Sequence, residues 1–415
     1  MKNKTSTQNV ITGYGLVTPL GNSSWQTFSA ILGEQTLARR ARKLEEDYHP
    51  VDVIRQVGCV NFAQHSRLDP SIIIAEKAAR EAIYMATHCE KMPKEPIPCI
   101  LAASKGAMHA LTQAANIIGK NSPGQGMPQH YPSLPAEDVL LAGAIGPHAY
   151  LAHHLSQRLN LNVLETIVAA CASSLVAIDR ARFLLDHCAD ISKVMVLSVE
   201  AAILPLFVHS YQKLGVLPPL DRKTYGGYPL DQSRQGFMLA EIGAAIMIEK
   251  TNAIAAGQTQ LVNTAVSNHG LDSLRNDPKM AGLSRVAEKI IAGQPIDMIH
   301  PHATGTQGQD DHDTQELNVY QKLLGKNAKN VQLYANKGAI GHGLGASGLA
   351  SIVLACLCAK SNIKPPMPWL KQPICTDLLL SAQRLGPEIK DFDHHAIFAT
   401  GFGGHVAGVG IRYHR

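Results

Sequence analysis

The stretch IVAACASSLVAIDRARFLL, Ile167–Leu185, places a single cysteine where an apolar strand gives way to an amphipathic helix. Val163, Ile167 and Val168 read as a buried strand. Leu175, Ile178, Ala181 and Leu185 then recur at helical spacing. Cys171 thus stands near the first turn of a helix, where free N–H groups and the positive dipole end favour a thiolate. A small residue packed at a strand–helix junction is the other reading of the same cysteine. Segments elsewhere in the chain decide between the two.

The chain has 415 residues, enough for two fused layered halves rather than one simple core. Its 45% apolar and 17% charged content is that of an ordinary globular protein and excludes a disordered one. Thirty-four glycines and 5% aromatics fit many tight turns and close helix packing. The eight cysteines form no CxxC pair and no dense framework, which argues for a reducing compartment and against structural zinc. The amino terminus runs straight into a strand with no signal-peptide core. The most apolar stretch, Val194 to Val208, contains Glu200 and Pro205 and is too short to span a bilayer. A cytoplasmic protein away from the membrane is expected. The net charge of +5, without a dense basic run, does not argue for nucleic acid as a partner.

VITGYGLVTPLG, from Val10, reads as a strand ending in a turn, and residues 69–86 read as a helix begun by Asp69 with Pro70 in its first turn. CILAAS, residues 194–199 and residues 244–249 read as further strands. From Gln260 the alternation of strand, loop and helix starts again, and such alternation favours α/β layers. No linker separates the halves, and residue patterns alone do not establish a duplication. Gly119 to Pro135 reads as a long loop of the kind that serves a site or an interface.

Three further segments each follow an apolar run and open into a turn of Gly, Thr or His, where site residues commonly sit. They are IHPHATGTQGQDDHD (Ile299–Asp313), ANKGAIGHGLGASGLASIVLA (Ala335–Ala355) and ATGFGGHVAGVGI (Ala399–Ile411). His300, His302, Asp310 and His312 could form a metal site, but two loop histidines two apart with no matching cluster are a weak signal. No metal site is expected. Lys337 lies in a Gly-rich turn five residues before His342 and reads as partly buried and paired.

Together these segments resemble the β-ketoacyl–acyl carrier protein synthases, the condensing enzymes of the thiolase superfamily. The resemblance runs from ITGYGLVTPLG through AACASS, YPLDQSRQGFMLAE, HATGT and NKGAIGHGLGASG to GFGG, in the family's order. It implies a thiolase-like α/β fold of two similar halves in α-β-α-β-α layers. On this reading residues 1–252 carry the nucleophile and residues 253–415 carry the histidines and the gate. Cys171 matches the acyl-accepting nucleophile, His302 and His342 the catalytic histidine pair, and Lys337 the lysine that holds them electrostatically. Thr304 and Thr306 match the threonines on the pantetheine arm. Phe402, between Gly401 and Gly403, matches an aromatic gate whose N–H joins that of Cys171 in an oxyanion hole.

The implied reaction is a decarboxylative Claisen condensation of a Cys-bound acyl chain with malonyl–acyl carrier protein, in fatty acid or type II polyketide elongation. It needs no cofactor beyond the carrier's phosphopantetheine. The implied partners are an acyl carrier protein and a second subunit, either a copy of the chain or a chain-length-factor-like paralogue. Arg39, Arg40, Arg42 and Lys43 are candidates for meeting an acidic carrier. A thiolase would need a second cysteine near the carboxyl terminus, and none follows Cys375. Initiating synthases use an asparagine where this chain offers His302, Lys337 and His342. A pocket-shaping chain-length subunit would lack the nucleophile. An acyltransferase on the same fold is the other alternative.

The chain departs from the family pattern at four places. Ala303 stands where Gly is usual, Gly338 where Ser is usual, and His405-Val406 where Thr or Ser and then Asn are usual. The acidic D-x-x-E pattern after Thr306 is met either by Asp310, at the usual distance, or by Asp313 and Glu316 after a small insertion. The change at His405 points to a specialised polyketide or polyene pathway.

Overall fold

The computed structural model describes residues 7–41, 53–54, 57–61, 67–118, 134–218, 227–270, 277, 279–307, 311–375, 388–389 and 391–415. Among them, ten strands are hydrogen-bonded in series. The first five are β1 (Gln8–Val17), β2 (Ile97–Ala102), β3 (Leu161–Ile167), β4 (Lys193–Glu200) and β5 (Ile242–Thr251). The others are β6 (Thr259–Asn268), β7 (Met298–His300), β8 (Gln332–Leu333), β11 (His394–Gly401) and β12 (His405–Tyr413). A separate short pair joins β9 (Ile363–Lys364) to β10 (Glu388–Ile389).

The series divides into two sets with one pattern. Outward from the centre, the first runs β1-β5-β4-β2-β3 and the second β6-β12-β11-β7-β8. In the first set β1, β5 and β4 are antiparallel neighbours, and β2 and β3 continue parallel. The second set repeats this: β6, β12 and β11 antiparallel, then β7 and β8 parallel. Among the described residues the strand ladders of the two sets join where Asn9, Val10 and Ile11 pair with Leu261, Gln260 and Thr259. The two similar halves are therefore visible in strand order and direction.

Two helices lie between the sets. Ser173–His187 packs on β2, β3 and β4 and also on β6 and β12, while Ser347–Ser361 packs on β1, β5, β11 and β12. Ser347–Ser361 is buried along nearly its whole length, and its apolar residues surround it on all sides. The segment Leu344–Ser361 is long and apolar enough to cross a membrane, and 89% of it is buried inside this fold. Gly348 lets the two central helices touch, since a Cβ there would lie 2.6 Å from Leu175 Cγ. Outside, Pro70–Thr87 covers β1, β4 and β5, and Ala281–Ile291 covers β6, β11 and β12. The layers are helix, strand, helix, strand, helix.

The 69–86 helix forms as expected, with the Asp69 side chain accepting from Ser71 N and Pro70 in the first turn. The strand before Cys171 differs from expectation. β3 is the edge of its set and pairs with β2 alone. Val168 is 55% exposed and Leu164 is 38% exposed, so the apolar run marks an open edge rather than a buried strand. Most of the 119–135 loop lies outside the described residues.

Candidate active site

The chain turns sharply between β3 and the Ser173–His187 helix. Ala170 takes φ +48°, and Ser173 Oγ donates to Ala170 O at 2.6 Å while accepting from Ala169 N at 2.8 Å. This turn presents Cys171 at the floor of a pocket of about 70 Å³. His302, His342, Thr304, Thr306, Gly401 and Phe402 line the same pocket. Segments far apart in sequence thus converge on one small space. Lys337 and Gly403 stand just behind this lining.

Gly401 is pressed against the nucleophile's backbone, and a Cβ on it would lie 3.0 Å from Cys171 N. Gly403 and Gly404 take φ +83° and +79°, which makes the turn after Phe402 a place only glycine fills without strain. His405 then opens β12 opposite Asn268, whose Nδ2 lies 3.0 Å from His405 Nδ1. Val406 faces inward toward Gly282 and is buried. An apolar residue there packs where a polar one would need a partner.

Burial decides the protonation states. It pushes the Cys171 thiol up to about 11, against the pull of Lys337 and Lys105 and with the push of Glu200. The helix start and the two lysines thus act against burial at this thiol. Burial also drives His302 and His342 well below the usual histidine range, and the Lys337 charge adds to this in both. Both rings are neutral at pH 7. His342 Nδ1 lies 2.8 Å from Ser347 Oγ, and its ring meets that of His302 edge-on at 5.6 Å.

Lys337 is 6% exposed and donates from Nζ to His302 O. Burial lowers it to about 8, opposed by Glu316, Cys171 and Asp313. Glu316 supplies the nearby negative charge. Its carboxylate accepts from His302 N at 2.7 Å, Ala303 N at 2.8 Å and Tyr320 OH at 2.6 Å. Asp313 accepts from Leu230 N at 3.0 Å and Gly305 N at 3.1 Å. Asp313 and Glu316 thus hold the backbone of the His302–Gly305 segment, and Asp310 lies outside the described residues.

Two departures from the family pattern have physical reasons. Ala303 takes φ +32°, a conformation that glycine adopts without strain, and Glu316 holds its amide there. Gly338 lies under the Trp369 ring, where a Cβ would come 2.1 Å from Cε2. The indole and the missing side chain occupy the same place.

Other readings resolve differently. His300 turns into the core, with Nε2 3.0 Å from His395 Nδ1, so it does not join His302. Arg39 pairs with Glu34 at 3.0 Å, and Arg40 donates to Pro19 O, leaving half the basic cluster engaged within the chain. Arg42 and Lys43 lie outside the described residues. His312 and Thr400 also line the pocket; in the sequence His312 reads only as a weak metal-ligand candidate and Thr400 carries no reading. The four-residue step from His312 to Glu316 at a helix start was the available signal.

Five buried imidazoles carry a pH consequence. Burial depresses His300, His302, His312, His342 and His395 below 6.5. Below that pH the unfolded chain takes up protons that the folded chain refuses. The histidine contribution is thus fully present above pH 6.5 and lost as pH falls, by roughly 1 kcal/mol per pH unit for each ring, while Glu200, pushed up to about 7 by burial, acts in the opposite sense. Five rings outweigh the opposing carboxyls, so urea midpoints should drop between pH 7 and pH 5.5, and Glu200→Gln should steepen the drop. A flat midpoint across that range would mean the rings are held as paired cations.

Residues 8–253 match the family model described as β-ketoacyl synthase, N-terminal domain, and residues 255–370 match β-ketoacyl synthase, C-terminal domain. A curated relative, 3-oxoacyl-[acyl-carrier-protein] synthase 2 of Rhizobium meliloti (strain 1021), is 23% identical over 88% of this chain and 89% of its own. The actinorhodin polyketide putative beta-ketoacyl synthase 1 of Streptomyces coelicolor (strain ATCC BAA-471 / A3(2) / M145) is 23% identical over 87% of this chain and 79% of its own. Among solved structures, a ketosynthase in complex with a type II polyketide acyl-carrier protein is 17% identical, with a TM-score of 0.79 over 98% of this chain and 100% of that one. The ishigamide ketosynthase/chain length factor is 16% identical, with a TM-score of 0.75 over 99% of this chain and 100% of that one. With both halves matched and one pocket fed from each, this chain belongs to the β-ketoacyl synthase family.

Proposed function

We propose that the protein is a 3-oxoacyl-[acyl-carrier-protein] synthase that elongates an acyl chain by decarboxylative Claisen condensation. The observation that carries this reading is the meeting of Cys171, His302 and His342 in one pocket, with Gly401 against the Cys171 amide. In the first half-reaction the Cys171 sulfur attacks the acyl thioester, a neutral imidazole takes the thiol proton, and the pantetheine thiolate leaves. The backbone N–H groups of Cys171 and Phe402 hold the oxyanion.

In the second half-reaction the malonyl C–C bond breaks and CO₂ departs. Its electron pair becomes an enolate that His302 and His342 hold by N–H donation. The carbanion attacks the acyl carbonyl, a new C–C bond forms, and the C–S bond to Cys171 breaks. Thr304 and Thr306, whose hydroxyl oxygens lie 3.0 Å apart, suit the pantetheine arm. The chemistry as written calls on no redox group or metal.

Incubation with an acyl and a malonyl thioester of carrier protein should yield a 3-oxoacyl product two carbons longer, with one CO₂ per turnover. Acyl exchange without chain extension would instead favour an acyltransferase. A carrier partner follows from this reading, as does a second subunit of the same fold. The open β3 edge, with Val168 and Leu164 exposed and Phe183 47% exposed nearby, supports such a subunit. Light scattering at micromolar concentration should give a dimer that Val168→Asp weakens. A monomeric wild type would overturn the homodimer, and a monomer that pairs only with a paralogue would establish the heterodimer.

A further inference from the structure

The first turn of the His312–Leu324 helix holds polar atoms that the proposed chemistry does not use. His312 is 3% exposed, and its Nε2 lies 2.9 Å from Thr400 Oγ1. Among the described residues its Nδ1 has no hydrogen-bond partner, and it stands 3.9 Å from Glu316 Oε2. The His312 ring meets that of His302 edge-on at 5.4 Å. A buried imidazole facing a hydroxyl is a built contact, because either group left alone would lose its hydrogen bond without gaining water.

Four residues apart, His312 and Glu316 share one face of the helix. Glu316 grips the amides of His302 and Ala303. His312 grips Thr400, the residue before Gly401, and Gly401 in turn presses on the Cys171 amide. One helical turn therefore holds both the histidine side and the nucleophile side of the pocket. On the far side of Phe402 the chain passes through Gly403 and Gly404, both at positive φ, which gives the turn one tied end and one hinged end.

We propose that His312 is a positioning residue that ties the Gly401–Phe402 turn to the His302 segment through Thr400. The tie keeps the oxyanion donors and the histidine pair in register through the condensation step. It rests on the function proposed above only for its kinetic consequence, because the tie itself is a structural claim.

The test uses Thr400→Val, which keeps the shape and removes the hydroxyl, together with His312→Leu, His312→Gln and the Leu/Val double variant. Hydrogen exchange at the amides of residues 401–405 reads the tie without any substrate. Protection should fall about tenfold in Thr400→Val and in His312→Leu, the order expected for one buried hydrogen bond. The double variant should fall no further, since the same bond is lost once. His312→Gln, which can place an amide near the Nε2 position, should recover most of the protection.

The second readout is the ratio of the condensation rate to the Cys171 loading rate, which should fall with the same pattern. Unchanged protection in both single variants would overturn the tie, as would losses that add in the double variant. Lost protection with an unchanged ratio would overturn the positioning role. A wild type that never loads an acyl group would instead overturn the proposed function, while the exchange data still judge the tie.

Discussion

Cys171→Ala is expected to carry no acyl group after incubation with an acyl thioester of carrier protein, where the wild type gains one adduct by intact mass. The other seven cysteines do not line the pocket. Cys99 and Cys356 are buried, with thiols pushed up to about 12, and Cys358 is raised further for the same reason. Cys89 is exposed, and it lies outside the pocket that holds His302 and His342.

The raised Cys171 thiol sharpens this expectation. Burial keeps the Cys171 sulfur mainly in its less nucleophilic thiol form until a substrate is held beside it. A small alkylating reagent should therefore label exposed Cys89 before Cys171. A carrier-bound acyl group, held beside the neutral imidazoles, should reverse that order. An adduct that persists in Cys171→Ala would remove the nucleophile's assignment and the mechanism with it.

The residues that were legible in the sequence are those whose roles travel with local motifs. Cys171, His302, Lys337, His342 and the Gly401–Gly403 turn each sit in a short segment of distinctive composition, and all gather around one pocket. Alternating strands and helices likewise pointed to layers. What could not be read depends on distant partners. Thr400 is 88 residues from His312, so nothing local to either announces the bond between them. Gly338 looks arbitrary until the Trp369 ring is seen lying on it.

The opposing influences on the Cys171 thiol differ in how far they can be read. Helix-start electrostatics are local and visible in sequence, whereas the burial that outweighs them is a property of the whole fold. The apolar run before Cys171 misled in the same way, because an edge strand awaiting a partner and a buried strand share one composition. The matching strand order of the two halves also escaped residue-level comparison. Direction and neighbourhood repeat between the sets, and both are properties of the folded backbone.

His302→Ala and His342→Ala should each lose malonyl decarboxylation by about a hundredfold or more, the usual worth of one preorganised donor to a developing oxyanion. Both rings are neutral because burial and the Lys337 charge oppose their protonation. A neutral imidazole carries one N–H, and two of them converge on the pocket, His302 from just beyond a strand and His342 from the turn between two short helices. Neither substitution removes a main-chain anchor. Glu316 still accepts from the backbone N–H of residues 302 and 303, and the backbone at 342 keeps its bonds to Met238 O and Ala240 N. Loading of Cys171 should continue in each single variant, since the surviving ring can still take the thiol proton. The two half-reactions are thereby separated: acyl adducts accumulate while labelled CO₂ is not released. The double variant should lose both. Release of CO₂ within a few-fold of wild type in either single variant would take the enolate away from that ring, and in both it would leave the pair no part in decarboxylation.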